Sequence, residues 1–86
     1  MKYLIKYTEC YDGREYHGID MIHCHPEDLT ESLDFYVRNV RGDQPEDVSI
    51  DEYGHYHLED GLTVISNIKS YKLTDDEVRI FEKFNL

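Results

Sequence analysis

Lys2-Tyr3-Leu4-Ile5-Lys6-Tyr7-Thr8-Glu9-Cys10, followed by Tyr11-Asp12-Gly13 and then by Arg14-Glu15-Tyr16-His17-Gly18-Ile19-Asp20-Met21, is the stretch on which the fold turns. Two runs rich in aromatic and β-branched residues flank a tripeptide ending in Gly, the pattern of a β-hairpin. The tripeptide reads as a three-residue loop, with Gly supplying left-handed backbone at its last position. With residue 10 opposite 14, Tyr3, Ile5 and Tyr7 fall on one face with Met21, Ile19 and His17. Leu4, Lys6, Thr8 and Cys10 then take the other, because a strand alternates its side chains with period two.

Glu52-Tyr53-Gly54 and Glu59-Asp60-Gly61 repeat the signal further along. Setting 51 opposite 55 and 58 opposite 62 gathers Val48, Ile50, Tyr56, Leu58, Leu62 and Val64 on one side. A two-residue Asp60-Gly61 turn would pair Leu58 with Thr63 and break that grouping, so the longer loop is expected. Between the hairpin and this meander, a helix begins near Pro26, whose missing N–H costs nothing in the first turn. Leu29, Leu33, Tyr36, Val37 and Val40 recur at helical spacing, and Arg38, Arg41 and Gly42 close the helix. Its opposite stripe is Glu27, Glu31, Asp34 and Arg38. Thr74-Asp75-Asp76-Glu77 is a capping box opening a second helix, whose Val78, Ile80, Phe81 and Phe84 are expected to dock on the sheet. The expectation is a single α+β domain over residues 1–86, a small antiparallel sheet with two helices in the order β-β-α-β-β-β-α.

Eighty-six residues support one modest core. With 40% hydrophobic residues, eight Tyr, three Phe and no Trp, the chain is too aromatic for a disordered acidic tail. Tyr3, Tyr7, Tyr36 and Tyr56 are expected in the core, and Tyr11, Tyr53 and Tyr71 at loops or edges. Lys2 and Lys6 interrupt what would have to be the apolar segment of a signal peptide, so neither export nor a membrane span is expected. Cys10 and Cys24 lie at opposite ends of the hairpin, beyond disulfide reach, which suits reduced thiols in the cytoplasm.

Charge is the outstanding property, and it is regional. The net charge is −10. Residues 1–14 and 69–86 are near neutral, whereas residues 15–68 hold thirteen acids against Arg38 and Arg41, a net charge of −11. Such a chain is repelled by nucleic acid and by anionic membranes. The expected partner-binding residues are Glu27, Glu31 and Asp34 on the helix, with Asp43, Glu46, Asp47, Asp51, Glu52, Tyr53, Glu59 and Asp60 on the meander. Tyr beside carboxylate suits a surface that meets Arg, which pairs with acids and stacks on rings.

Catalytic and metal readings find less support. No P-loop, Gly-x-Ser-x-Gly or dinucleotide fingerprint is present, and exposed carboxylates on a small sheet lack the burial that raises a general acid's pKa. His23-Cys24-His25 and His55-Tyr56-His57 put pairs of imidazoles on alternating positions. No Cys-x-x-Cys or His-x-x-x-His spacing accompanies them, so neither metal nor cofactor is expected.

In size and charge layout, the acidic helix stripe and the Asp43–Asp60 segment make the chain resemble the small acidic phage proteins that mimic DNA. These include anti-restriction and anti-CRISPR inhibitors and the Bacillus phage inhibitor of the nucleoid protein HU. The resemblance implies a DNA-mimic inhibitor, monomer or homodimer, whose carboxylates enter the DNA-binding cleft of a basic host protein: a nucleoid-associated protein such as HU, or a restriction or CRISPR defence protein. Its place would be the host cytoplasm. The alternative is a small non-enzymatic regulatory or accessory module that binds a protein through its sheet edge or Tyr-rich surface, and a third reading is a His/Cys metal-binding protein.

Overall fold

A computed structural model describes residues 1–84. The fold is α+β: β1 (Lys2–Tyr11), β2 (Arg14–His23), α1 (Leu29–Phe35), β3 (Ser49–Ile50), β4 (Tyr56–His57), β5 (Thr63–Lys72) and α2 (Asp75–Lys83). The strands form one antiparallel sheet in the order β2-β1-β5-β4-β3. The element order matches the one read from the sequence.

The first hairpin departs from the expected register. Tyr11 pairs with Arg14 across a two-residue turn, with Asp12 at φ 48° and Gly13 at φ 82°. Two consecutive left-handed residues make a type I′ turn, whose twist matches that of the strands it joins. Every pairing therefore slips by one. Tyr3, Ile5 and Tyr7 stand opposite Ile22, Asp20 and Gly18, while His17, Ile19 and Met21 turn to the other face. Two contacts explain why the less apolar face of β2 points inward. The Tyr7 ring occupies the space above Gly18, where a Cβ would lie 2.1 Å from its Cζ. The Asp20 carboxylate accepts the buried Tyr36 hydroxyl at 2.9 Å.

Ser49 pairs with His57 and Ile50 with Tyr56, as the 51–55 register requires, and Gly54 closes that loop at φ 79°. The second meander turn differs. Tyr56 pairs with Ile65 and His57 with Val64, and Leu58 N–H donates to the Thr63 carbonyl across a four-residue loop. The cause is Asp60, whose Oδ1 accepts the N–H groups of Leu62 (2.9 Å) and Thr63 (2.8 Å) while its Oδ2 accepts the Thr63 hydroxyl (2.5 Å). Thr63 is thus buried with its hydroxyl satisfied. Leu62 and Ile50, expected inward, are exposed, and Ile65 takes the inner position.

A bulge sits in β5, where the pairing with β1 shifts between Lys6 and Thr8 beside the left-handed Asn67 (φ 53°). Ile65 and Ile68 are three apart and would face opposite ways in a regular strand. The extra residue brings both to the core side. There Ile5, Tyr7, Tyr36, Val37, Val48, Leu58 and Ile65 form the core, with Ile22, Leu33, Tyr56 and Ile68 packed against it. Lys6 and Lys69 face each other on the opposite side of the sheet.

The long helical segment is three pieces: a 3₁₀ turn at Pro26–Asp28, α1, and a π turn at Tyr36–Arg41 closed by Gly42 N–H to the Val37 carbonyl (3.0 Å). One residue is inserted into the helical period, so Val40 is carried out of the core and stands 58% exposed. Gly42 is extended rather than left-handed (φ −95°). It is needed for close approach: a Cβ there would lie 2.9 Å from the Arg38 carbonyl oxygen and 3.0 Å from Val48 Cγ2. At the other end, Thr74 and Glu77 form the capping box (2.9 and 3.2 Å), and Lys2 pairs with Glu82 of α2 at 3.2 Å. Val78 and Phe81 are half-buried, but Ile80 and Phe84 are exposed, so α2 docks with fewer side chains than its sequence suggests.

Candidate functional site: the acidic surface

The segment from Asp43 to Val48 has little regular structure beyond a 3₁₀ turn at Pro45–Asp47, and one side chain pins it. Arg38 reaches from the π turn and donates through Nη1 to the carbonyls of Val48 (2.5 Å) and Pro45 (3.2 Å). Through Nε it also binds both oxygens of Asp34 (3.1 and 3.0 Å). Its planar fork suits this role, since it satisfies several fixed acceptors at once. Tyr56 of β4 donates to the same Asp34 at 2.9 Å. Burial first, and then this bond to a carboxylate, push the Tyr56 hydroxyl up to about 12. Asp34 is therefore part of the joint between helix and meander. It does not share the solvent-facing stripe with Glu27 and Glu31, as the helical spacing implied.

The other acids divide in the same way. Asp51 accepts the backbone N–H groups of Tyr53 (2.9 Å) and His55 (3.0 Å), and its second oxygen meets His57 Nε2 at 2.9 Å. The His57 contact, then the two N–H donors, hold its carboxyl down at about 2. Asp60 is likewise held low, by the Thr63 hydroxyl first and then by the Leu62 N–H. Glu59 is half-buried, with Oε1 accepting the Asp43 N–H at 2.6 Å and Oε2 enclosed without a partner. This contact brings the Asp43 segment against the β4–β5 loop.

Glu27, Glu31, Asp43, Glu46, Asp47 and Glu52 are exposed and enter no ion pair among the described residues. Glu27 and Glu31 share the first turns of the helical segment, Asp43, Glu46 and Asp47 the segment that Arg38 holds, and Glu52 the β3–β4 loop. Tyr53, 76% exposed, stands at that loop tip with its ring 6.2 Å from His55. The loop carrying Asp51–Tyr53 and that carrying Glu59 and Asp60 lie at opposite ends of the β3–β4 ribbon. At roughly 3.3 Å per residue, they are separated by about 10 Å.

Both bases of the acidic region are already engaged. Arg38 is held by Asp34, and Arg41 pairs with Glu9 while its guanidinium lies 5.8 Å from the Tyr7 ring centroid. Sequence reading placed both arginines at the helix end but could not show that internal partners consume them. It also missed the buried chain in which Tyr7 meets Tyr36 at 3.3 Å and Tyr36 donates to Asp20. Burial, then the hydrogen bonds shared with Tyr7 and with the Asp20 carboxylate, raise the Tyr36 hydroxyl far above the usual tyrosine range.

His23 and His25 are exposed and Cys10 and Cys24 are free. No group of three His, Cys, Asp or Glu side chains placed to hold a metal ion occurs among the described residues. Nor is any helix among them long and apolar enough to cross a membrane. Comparison with protein-family models, with curated proteins and with solved structures finds no match to the chain.

Proposed function

We propose that this protein is a non-enzymatic DNA mimic, which binds the DNA-binding surface of a basic host protein through its acidic face and so inhibits it. The observation that carries the reading is the fate of the cations: Arg38 and Arg41 are spent on Asp34 and Glu9, leaving the exposed carboxylates uncompensated. Lys6 and Lys69 meanwhile face each other on the far side of the sheet. A cationic cleft approaching the helix and meander side therefore meets negative charge fixed on a folded scaffold. Size supports the same reading, since the longest dimension of 39 Å is comparable with one duplex turn of roughly 35 Å.

Attraction of this kind comes from neutralising Lys and Arg and fades with added salt. Affinity capture on the immobilised protein from bacterial lysate, eluted by a salt gradient, tests the proposal. It expects DNA-binding proteins that elute at moderate salt and are displaced by duplex DNA. Captured partners that do not bind nucleic acid, or retention unchanged in molar salt, would exclude it.

A further inference from the structure

A groove of about 650 Å³ runs between β2 and the helical segment, and its lining includes Asp20, Ile22, Asp28, Glu31, Phe35 and Val40. Phe35 and Val40 are 63% and 58% exposed, a heavy display of apolar surface for a chain this charged. Their exposure follows from the fold, since the π turn rotates Val40 out of the core and leaves it beside Phe35 at the mouth of the groove. Three carboxylates share the lining with polar and apolar neighbours that include His23, and no Lys or Arg occurs among the described residues that form it. Asp28 and Glu31 have no cationic partner among the described residues.

We infer that this groove receives a segment of another protein in which one large apolar side chain is flanked by lysine or arginine. The apolar group would be covered by Phe35, Val40 and Ile22, and the cations would meet Asp28 and Glu31. Three other occupants fit less well. A second copy of this chain would bring the same carboxylates to the junction and be repelled, and a nucleic acid would be repelled by its phosphates. A strand added to the outer edge of β2 is obstructed at the groove, because Met21 N–H, which points away from β1, is already taken by Asp20 Oδ1 at 2.8 Å. Recognition therefore runs through side chains. The inference goes beyond DNA mimicry and holds whether or not the partner binds DNA, yet it also supplies what mimicry lacks. A duplex turn carries roughly 20 phosphate charges, against a net charge of −10 here, so contact that is not electrostatic is needed to compete.

Selection of a randomised peptide library, displayed on yeast, against the full-length protein tests the groove. The expected peptides share one Leu, Ile, Phe or Met close to Lys or Arg. Their affinity falls by about tenfold or more in Phe35→Ala, the usual cost of losing an interface anchor, and less in Glu31→Gln. It is unchanged in Asp75→Asn, an exposed acid of α2 outside the groove. Phe35 lies outside the core, and circular dichroism verifies that Phe35→Ala stays folded. Absence of enrichment, enriched peptides without basic residues, or affinity indifferent to both groove substitutions would each overturn the inference. So would a concentration-dependent dimer abolished by Phe35→Ala. If the peptides behave as expected but DNA displaces no captured partner, mimicry falls and the groove stands.

Discussion

Asp51 meets two N–H groups of its own loop and the His57 ring of β4, and those bonds favour its ionised form. Its carboxyl sits at about 2 in the fold against 3.8 ordinarily, so as pH falls the unfolded chain takes up the proton first. The stabilisation is therefore complete above about pH 4 and is lost between about pH 4 and pH 2. Relief of negative self-repulsion acts in the opposite sense only down to the pI of about 4.7, below which growing positive charge adds its own destabilisation. A comparison with Asp51→Asn separates the two effects. The difference in melting temperature between the proteins is expected to be largest near neutrality and to close as pH drops toward 2; a difference independent of pH would contradict the role given to Asp51. Arg38 is the second decisive side chain. Arg38→Ala leaves the carbonyls of Pro45 and Val48 and the Asp34 carboxylate without their donor, and is expected to lower the unfolding free energy by about 1–3 kcal/mol in urea titration. Arg38→Lys should recover little of it, because a single ammonium cannot span acceptors that lie on both sides of the guanidinium.

Among the elements, the β5 bulge shows how local geometry overrules simple alternation. Asn67 holds a left-handed backbone that Gly adopts freely and a β-branched residue does not. Asn67→Gly is thus expected to leave stability within about 0.5 kcal/mol of the parent. Asn67→Val should cost about 1–2 kcal/mol. Equal stability of the two variants would show that the bulge does not depend on that conformation. The same contrast explains what could be read from the sequence. Turn signals located all three hairpin loops, helical spacing located α1, and the capping box of Thr74 and Glu77 located the start of α2. Register was harder. Grouping apolar residues gave the right pairing around Glu52–Gly54, where strand and turn preferences agree. It failed at Asp12-Gly13 and Asp60-Gly61, where the deciding contacts are long-range or polar: Tyr7 over Gly18, Tyr36 on Asp20, and Asp60 on Thr63. The π turn that exposes Val40 likewise depends on packing of the Arg38–Gly42 segment against Val48, which no periodicity announces.

At the scale of the whole molecule, the acidic region was legible as composition but not as a surface. Asp34, Asp51, Glu59 and Asp60 hold the fold together, whereas Glu27, Glu31, Asp43, Glu46, Asp47 and Glu52 stay exposed and outside every described ion pair. A carboxylate that anchors its own loop and one that awaits a cation look alike in sequence, because the difference lies in which N–H or hydroxyl the fold brings within reach. The free group defines the variant for the decisive measurement: Asp43→Asn, Glu46→Gln, Asp47→Asn and Glu52→Gln together, which removes charge and no described ion pair. Displacement of a labelled duplex from a captured DNA-binding partner, followed by fluorescence anisotropy, then tests whether these carboxylates stand in for DNA. The parent protein is expected to release the duplex and the quadruple variant to lose this ability by about tenfold or more, since each charge contact to a cationic cleft weighs on affinity. A ternary complex in which partner, duplex and this protein remain bound together, or equal displacement by parent and variant, would contradict it.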